Sequence, residues 1–415
     1  MCRRRGCFSL IVRIAFLCTS GLDNASPRGR WLPLARELAK HGHEPHLLLL
    51  HPMFDQLSQQ GRVQIIDGVH INHVGQMHVY GLPGQRRYYG PAQLGVVSLK
   101  AVWALARAAL ALRPDIVHVC KPQPINGLAG VIAARLLRCK LCVDCDDYEA
   151  ESNRFSIGLG GRVQKALVAW WEDHLPRWAD AVTVNTRFLQ HRNAKLGVDP
   201  QRMTYVPNGV ATTSSEAWSV ERGASKRGPP PSALNPQPST LIYVGTMSKI
   251  ALGVDLLIQA MPYVLARMPT AKLLMVGDGD DRLALIQQAA KLGLGDAVTW
   301  VGSVPAERVA DYWSQACCSV DPVYDSLAAR GRSPLKIVES LAAGVPVVTG
   351  DVGDRREMIG PAGRIVQAGD AAALAEGICD LFMQRPIASN LIQAQAARYA
   401  WPILVEDWLH SYTSI

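Results

Sequence analysis

The chain has 415 residues, too many for one ordinary hydrophobic core and enough for two. Hydrophobic residues make up 48% and charged residues 19%, which excludes an intrinsically disordered chain. Lys plus Arg exceeds Asp plus Glu, 43 against 35; this favours anionic ligands or an anionic membrane face, but no basic block is long enough for a nucleic-acid groove.

In chain order, residues 1–18 (MCRRRGCFSLIVRIAFLC) imitate a signal peptide. Their apolar stretch is short, contains Arg13 and lacks a small-residue cleavage site before the polar loop at 19–29, so IVRIAFLC (11–18) reads as a first buried strand. Strand-like runs follow at 43–50, 69–74, 115–120, 140–145, 181–186 and 203–208, with helical stretches such as RWLPLARELAKHG and NGLAGVIAARLLR between them. The apolar stretch 95–112 is interrupted by Lys100 and Arg107 and falls short of a spanning helix, so no transmembrane segment is predicted. Residues 213–239 are rich in Ser, Pro and Gly without periodicity and read as a linker or long surface loop. The alternation then resumes with runs at 239–245, 271–277, 297–302, 316–323 and 345–350. Alternating strands and helices imply βαβ units and parallel sheets. The expectation is two doubly wound α/β domains, 1–212 and 240–398, with the ligand in a cleft off the carboxyl ends of the facing strands.

Ten cysteines in a chain of this size do not make a disulfide framework, and a reducing cytoplasm fits them best. Cys139, Cys142 and Cys145 have metal-like spacing, but they lie on a strand-like run with no fourth ligand nearby, so they read as small hydrophobes.

Residues 332–344 read RSPLKIVESLAAG. Ser333 is a favoured helix N-cap, and Pro334 is tolerated at the first helical position. The remaining free amides and the helix dipole make an anion site to which Lys336 adds a full positive charge. Taken alone, the stretch is equally a well-capped helix with no ligand.

The surrounding motifs decide between these. WADAVTVNT with PNGV (178–210), LIYVGTM with GVDLLIQA (241–260), LLMVGDGDD (273–281), VTWVGSVP (298–305), SPLKIVESLAAGVPVV (333–348) and GPAGRIVQAGDAAALAEGI (360–378) occur in order. With RGRWLPLARELAKHGHEPHLL in the first half, the chain resembles the family-four glycosyltransferases of the GT-B fold: two facing Rossmann-like doubly wound domains with an interdomain cleft. The resemblance implies retaining transfer of a sugar from a nucleotide-diphosphate donor (UDP- or GDP-linked), held by the C-terminal domain, to an acceptor held by the N-terminal one, without metal or other cofactor. It places Glu339 on the nucleotide ribose and the amides near Pro334–Lys336, with the Lys336 ammonium, on the departing diphosphate. The donor side would comprise Gly245, Thr246, Lys249, Gly277, Val304, Arg332, Ser333, Pro334, Leu335, Lys336 and Glu339. The final stretch 399–415 resembles the helix that crosses back to brace the N-terminal domain.

The chain departs from the family pattern at several points. Gly331 stands where a first Glu is usual, with Asp325 a possible substitute. Thr246 and about Leu252 replace the usual phosphate-binding Arg and Lys; Lys249, Arg330 and Arg332 are the available cations, each otherwise an ordinary surface charge. Asp146 falls where the family presents a His, with Asp147 beside it. Contact with sugar or acceptor, metal binding and helix capping are its three readings, the first preferred. Gly29 is the candidate for close backbone approach near the acceptor, otherwise a turn glycine. Arg86 and Arg87 beside Tyr88 and Tyr89 could hold a sugar face or an anionic lipid head, otherwise a solvated loop. His41 and His43 are assigned no chemistry, and Trp170 and Trp171 read as packing residues. The leading expectation is a cytoplasmic transferase acting on a glycan or lipid-linked acceptor, in peripheral contact with an anionic membrane surface. The alternatives are a non-catalytic nucleotide-binding partner protein, or an epimerase or phosphorylase on the same fold.

Overall fold

The computed structural model describes residues 11–413 apart from 25, 82–86, 154, 156, 157, 212–238, 306, 307 and 384–386. Arg86 and nearly all of the expected linker 213–239 lie outside the described residues. Two compact units emerge. The first takes the chain up to Asn185, Leu189–Val206 and Val405 onward; the second takes Thr186–Phe188 and Pro207–Leu404. The division therefore falls at Val206/Pro207 rather than at the expected 212, and the last helix is shared, with residues from Val405 joining the first unit.

The first unit contains β1 (Arg13–Cys18), α1 (Leu32–Lys40), β2 (Glu44–His51), α2 (Gln59–Arg62), β3 (Val63–Ile66), β4 (Val69–Gln76), β5 (Val79–Tyr80) and β6 (Arg87–Tyr88). It continues with α3 (Pro91–Leu112), β7 (Ile116–Cys120), α4 (Pro124–Leu137), β8 (Lys140–Cys145), α5 (Glu149–Ser152), α6 (Leu159–Trp178), β9 (Ala181–Val184), α7 (Arg187–Lys195) and β10 (Met203–Tyr205). Its main sheet runs β10-β9-β8-β7-β1-β2-β4-β3, parallel except for β3, which pairs antiparallel with β4. The strand order reverses between β1 and β7, the switch point of a doubly wound sheet. β3 was not among the expected strands, because Val63 and Ile65 are both exposed and leave no alternating burial to read.

The two faces of this sheet carry different layers. Val117 and Val119 of β7 point to α4, whose Gly130 sits so close that a Cβ there would lie 2.4 Å from Val119 Cγ2. His118 points the other way, 5.0 Å from the Phe16 ring and 5.1 Å from Trp408, and its Nδ1 shares a 3.1 Å hydrogen bond with the Tyr412 hydroxyl. The end of the chain thus covers one face of the first unit. Helix α3 spans 22 residues and is long and apolar enough to cross a membrane by composition, contrary to the shorter reading of 95–112. Its Ala101, Leu105, Ala106 and Ala109 are nevertheless buried against the body of the unit.

The second unit contains β11 (Thr240–Val244), α8 (Lys249–Leu252), α9 (Val254–Arg267), β12 (Lys272–Val276), α10 (Arg282–Lys291), β13 (Val298–Gly302), α11 (Val309–Trp313) and β14 (Cys318–Asp321). Then come α12 (Leu327–Arg330), α13 (Leu335–Ala342), β15 (Val347–Gly350), α14 (Arg355–Ile359), β16 (Gly363–Val366), α15 (Ala371–Met383), α16 (Ser389–Ala397) and α17 (Trp401–Thr413). The sheet is wholly parallel in the order β13-β12-β11-β14-β15-β16, with its switch point between β11 and β14. One core cluster, including Tyr243, Leu257, Leu273 and Ile378, fills the space between sheet and helices. β16 is an addition to the expected strands. At four residues on the sheet edge, with three of them only half-buried, it presents little apolar signal.

Candidate functional sites in the two units

In the second unit Gly245, Gly277 and Lys336, three of the predicted donor residues, come together beside the switch point. Gly245 follows β11 with φ +145°, and Gly277 follows β12 with φ +128°. A Cβ on Gly277 would stand 2.0 Å from the Gly245 carbonyl oxygen, so the two strand ends approach backbone to backbone and neither position admits a side chain easily. A Cβ on Gly245 would lie 3.3 Å from Lys336 Cε; the lysine stem therefore lies against this glycine. The Lys336 ammonium sits 4.9 Å from the centre of the Tyr243 ring and 3.2 Å from Asp321 Oδ1.

That aspartate is a residue the sequence reading missed. Asp321 ends β14 and is 1% exposed, accepting from Lys336, from Arg355 Nε at 2.7 Å and from Thr349 Oγ1 at 3.1 Å. Burial works against its charge, but Arg355 and Lys336 outweigh burial and hold the carboxyl down at about 2. Burial in turn lowers the Lys336 ammonium from the usual lysine range, with Asp321 opposing. The single acid in the apolar run ACCSVDPV was the available signal for Asp321; nothing local marked Arg355, which reaches the cluster only through the fold.

The expectation that Ser333 caps α13 is corrected. The cap position is Pro334, without any side-chain cap. Ser333 is instead buried, its hydroxyl accepting from the Asn208 amide at 3.0 Å and its carbonyl from Asn208 Nδ2 at 2.7 Å. Asn208, from PNGV, thus fixes the turn before the helix. With no side-chain cap hydrogen bond, the start of α13 leaves its first-turn amides without a side-chain acceptor, at the positive end of the helix dipole. Glu339 lies half-buried on the same helix; burial raises its carboxyl pKa, and no hydrogen bond or ion pair engages it among the described residues. Arg332 is half-buried, and its charge reaches both Tyr243 and Lys336.

Other donor-side assignments fare differently. Asp325 and Arg330 close on one another in an exposed bidentate pair, 2.7 Å at both contacts. Val304 packs into the cluster around Trp313 and Val345. Thr246 is exposed and uses its carbonyl to accept from the Tyr243 hydroxyl at 2.7 Å. Lys249 opens α8 with its amide on Asp281 Oδ2 at 2.8 Å, and its ammonium makes no ion pair among the described residues. Leu335 is half-buried in the first turn of α13.

In the first unit a charged cluster forms at the carboxyl ends of β1, β7, β8 and β9. Asp144, inside β8, is fully buried and accepts from Arg30 Nε and Nη2 at 2.7 and 2.8 Å, from Trp31 Nε1 at 2.8 Å and from Thr183 Oγ1 at 2.8 Å. Burial opposes its charge, but Arg30 keeps its carboxyl below the usual range. Asp146, two residues on, has poorer company. It stands 3.7 Å from Arg30 and 3.6 Å from Lys121, and Asn185 Nδ2 reaches its Oδ1 at 3.1 Å. Desolvation therefore wins and pushes it up to about 6. Asp147 and Glu149 take the Lys121 ammonium at 2.6 and 2.8 Å. Gln123 links Glu149 at 2.5 Å to Thr19 at 2.8 Å, tying the end of β1 into the group.

These contacts revise the acceptor-side list. Asp146 and Asp147 are brought together as expected, but neither caps α5, whose cap position is Tyr148 without a side-chain bond. Gly29 lies inside the helical turn Pro27–Trp31 rather than in an open loop, and its neighbour Arg30 carries the interaction. Arg30 and Lys121 were not singled out from the sequence, since Arg and Lys near strand ends are ordinary. Arg87 is exposed on the small β5–β6 hairpin.

Among the described residues one group has metal-ligand composition, Glu44, His46 and His70. Arg13 takes one oxygen of Glu44 at 3.0 Å, His46 Nε2 lies 2.9 Å from the other, and the His46 and His70 rings stack 4.3 Å apart at 12°, so both oxygens of Glu44 already have protein partners. Cys142 and Cys145 are buried in β8, where burial pushes both thiols up, as for small hydrophobes.

Comparison with known proteins follows the same division. The family described as "Glycosyl transferase 4-like domain" matches residues 28–209, and "Glycosyl transferases group 1" matches residues 238–384. Phosphatidyl-myo-inositol mannosyltransferase of Mycobacterium leprae is 28% identical over 216 residues, 51% of this chain and 53% of that protein. The match thus spans about half the length of the curated relative. Sucrose-phosphate synthase from Thermosynechococcus elongatus has the same fold at TM-score 0.70 and 18% identity, over 97% of this chain and 98% of that one. Anabaena HepE, solved with UDP, aligns at TM-score 0.65 and 18% identity over 97% of this chain and 100% of its own. Two parallel doubly wound units, each matched by its own domain family in the expected order, lead to one assignment: the chain belongs to the family-four glycosyltransferases of the GT-B fold.

Proposed function

We propose that the protein transfers a sugar, with retention of configuration, from a nucleotide-diphosphate sugar held by the second unit to a glycan or lipid-linked acceptor held by the first. The observation that carries this is the uncapped start of α13, with Lys336 lying over Gly245 at the switch point of the sheet. As the glycosidic bond breaks, negative charge develops on the leaving diphosphate, and fixed amides plus a held ammonium are the groups that stabilise it. Asp321 keeps that ammonium in place beforehand, so little reorganisation is required when charge appears. Positive charge from Lys336, Arg355 and Arg332 serves in place of a metal. Glu339, with no partner among the described residues, is the acceptor for the ribose hydroxyls.

On the first unit, the buried Asp146 is the group facing sugar or acceptor hydroxyls, with Asp144 and Arg30 as its rigid support. The inositol-lipid acceptor in the name of the mycobacterial relative supports a lipid-linked acceptor class. The free cysteines fit a reducing compartment such as the cytoplasm.

The test is a thermal-shift panel of UDP, GDP and their sugars, followed by nucleotide release from whichever donor binds. Stabilisation by one nucleotide together with release in the presence of acceptor supports transfer. Binding without release in any acceptor mixture supports a non-catalytic nucleotide-binding protein, and a product that keeps its sugar on the nucleotide supports an epimerase.

A further inference from the structure

Large apolar side chains are not scattered evenly over the surface. On α3, Val96, Leu99 and Trp103 are exposed, Leu99 by 69% and Trp103 by 64%. On α6, Leu159, Val163, Leu167, Trp170 and Trp178 are exposed as well. Their spacing of four, four, three and eight residues keeps them within one stripe of about 100° on a helix of 3.6 residues per turn. Between these helices lies α4, packed against both, with Leu136 exposed by 68%. The three helices form the layer on the Val117 and Val119 side of the first unit's sheet, and their outer surface carries a run of exposed large apolar side chains of the kind that marks an interaction site.

Cations accompany that face. Lys100 and Arg107 alternate with the apolar stripe of α3, Arg162 borders that of α6, and Arg177 lies on it near its end. Where α4 and α6 end, a depression of about 330 Å³ is lined by Arg135, Arg138, Lys140, Asp180 and the Trp178 ring. Three cations against one acid, walled by a tryptophan, match the phosphate layer of a bilayer, where tryptophan and arginine sit while neighbouring apolar groups enter the acyl boundary. A spanning arrangement is excluded for α3, because its Ala101, Leu105, Ala106 and Ala109 cannot leave the unit's interior without exposing it.

We infer that the outer face of α3, α4 and α6 docks on an anionic phospholipid surface, with the Arg135, Arg138 and Lys140 depression taking a lipid phosphate. The inference needs no transferase activity, and its test reads no turnover. Flotation of the full chain with phosphatidylcholine vesicles, with and without about 30 mol% phosphatidylglycerol, measures the partition directly. Wild type is expected to float with anionic vesicles and only weakly with neutral ones. The pair Trp103→Glu and Leu167→Glu should lower the anionic partition at least tenfold. Arg135→Gln with Arg138→Gln should lower it about 25-fold, at roughly fivefold per surface cation removed, without changing the neutral partition. Leu283→Glu, an equally exposed site on the second unit, should leave binding unchanged. Circular dichroism confirms that each variant is folded; all these positions are exposed, so they should be. Equal flotation by the wild type and the apolar pair overturns the proposal, as does no flotation of wild type. So does a dimer in sedimentation equilibrium that Trp103→Glu dissociates, since the face would then belong to a second copy.

Discussion

Asp146→Asn separates a functional residue from a structural one. The carboxyl of Asp146 is 4% exposed and lies near 6, against 3.8 for an unburied aspartate. A folded-state value above the unfolded one means that the folded chain prefers the protonated form. The penalty is absent below pH 3.8, grows as pH rises towards 6 and is complete above that. At about 1.4 kcal/mol per decade, the difference is worth about 3 kcal/mol at neutral pH. Removing the charge leaves no cation stranded, because Arg30 keeps both hydrogen bonds to Asp144 and Lys121 keeps Asp147 and Glu149. Asn also retains the oxygen that accepts from Asn185. Urea unfolding at pH 8 should therefore show the variant unchanged or stabilised by up to about 3 kcal/mol, and the gain should vanish at pH 4. Sugar transfer by the same variant should fall by more than tenfold, because the charge that burdens the fold is the one presented to substrate. Wild-type activity should fall as pH drops through about 6. The neighbouring Asp144→Asn must behave oppositely, losing about 3–5 kcal/mol, since it strands the buried Arg30. If Asp146→Asn instead destabilises at pH 8 as strongly as Asp144→Asn, the reasoning fails and Asp146 is a structural ion-pair partner.

Lys336→Ala and Glu339→Ala should each cost about 2–4 kcal/mol of transition-state stabilisation, measured as kcat/KM, with near wild-type values removing them from the mechanism. Asp321→Asn should lower stability by about 2 kcal/mol or more at pH 7; its depressed carboxyl contributes above pH 3.8, and that contribution is lost as pH falls towards 2, so the wild-type and variant curves should converge in acid. Gly277→Ala should destabilise by more than about 2 kcal/mol, read from denaturant midpoints, because the new methyl meets the Gly245 carbonyl 2.0 Å away; a neutral result would mean that the two strand ends separate freely.

Much of the fold was legible because buried parallel strands are apolar runs. KLCVDC at 140–145 coincides with β8, and the runs at 115–120, 271–277 and 297–302 differ from their strands by a residue or so at their ends. The exposed β3 and the edge strand β16 carried no such signal. At the sites, the glycines after β11 and β12 and the lysine of α13 could be read locally, since a turn needing positive φ and a cation at a helix start follow from neighbours in the chain. Ser333 could not. Its capping preference is a local tendency, overridden by a partner 125 residues away.

The sequence by itself determined the two-unit α/β architecture, the family and the helix that starts at 335, because these depend on periodicity, spacing and residues close along the chain. Only the tertiary structure decided which charges hold one another. Arg30 meets Asp144 across 114 residues and Arg355 meets Asp321 across 34, and no local pattern encodes pairings that exist only when strand ends converge. Desolvation is likewise a property of the surrounding packing, which is why Asp144 and Asp146, nearly adjacent in one acidic stretch, end with opposite preferences for their protons.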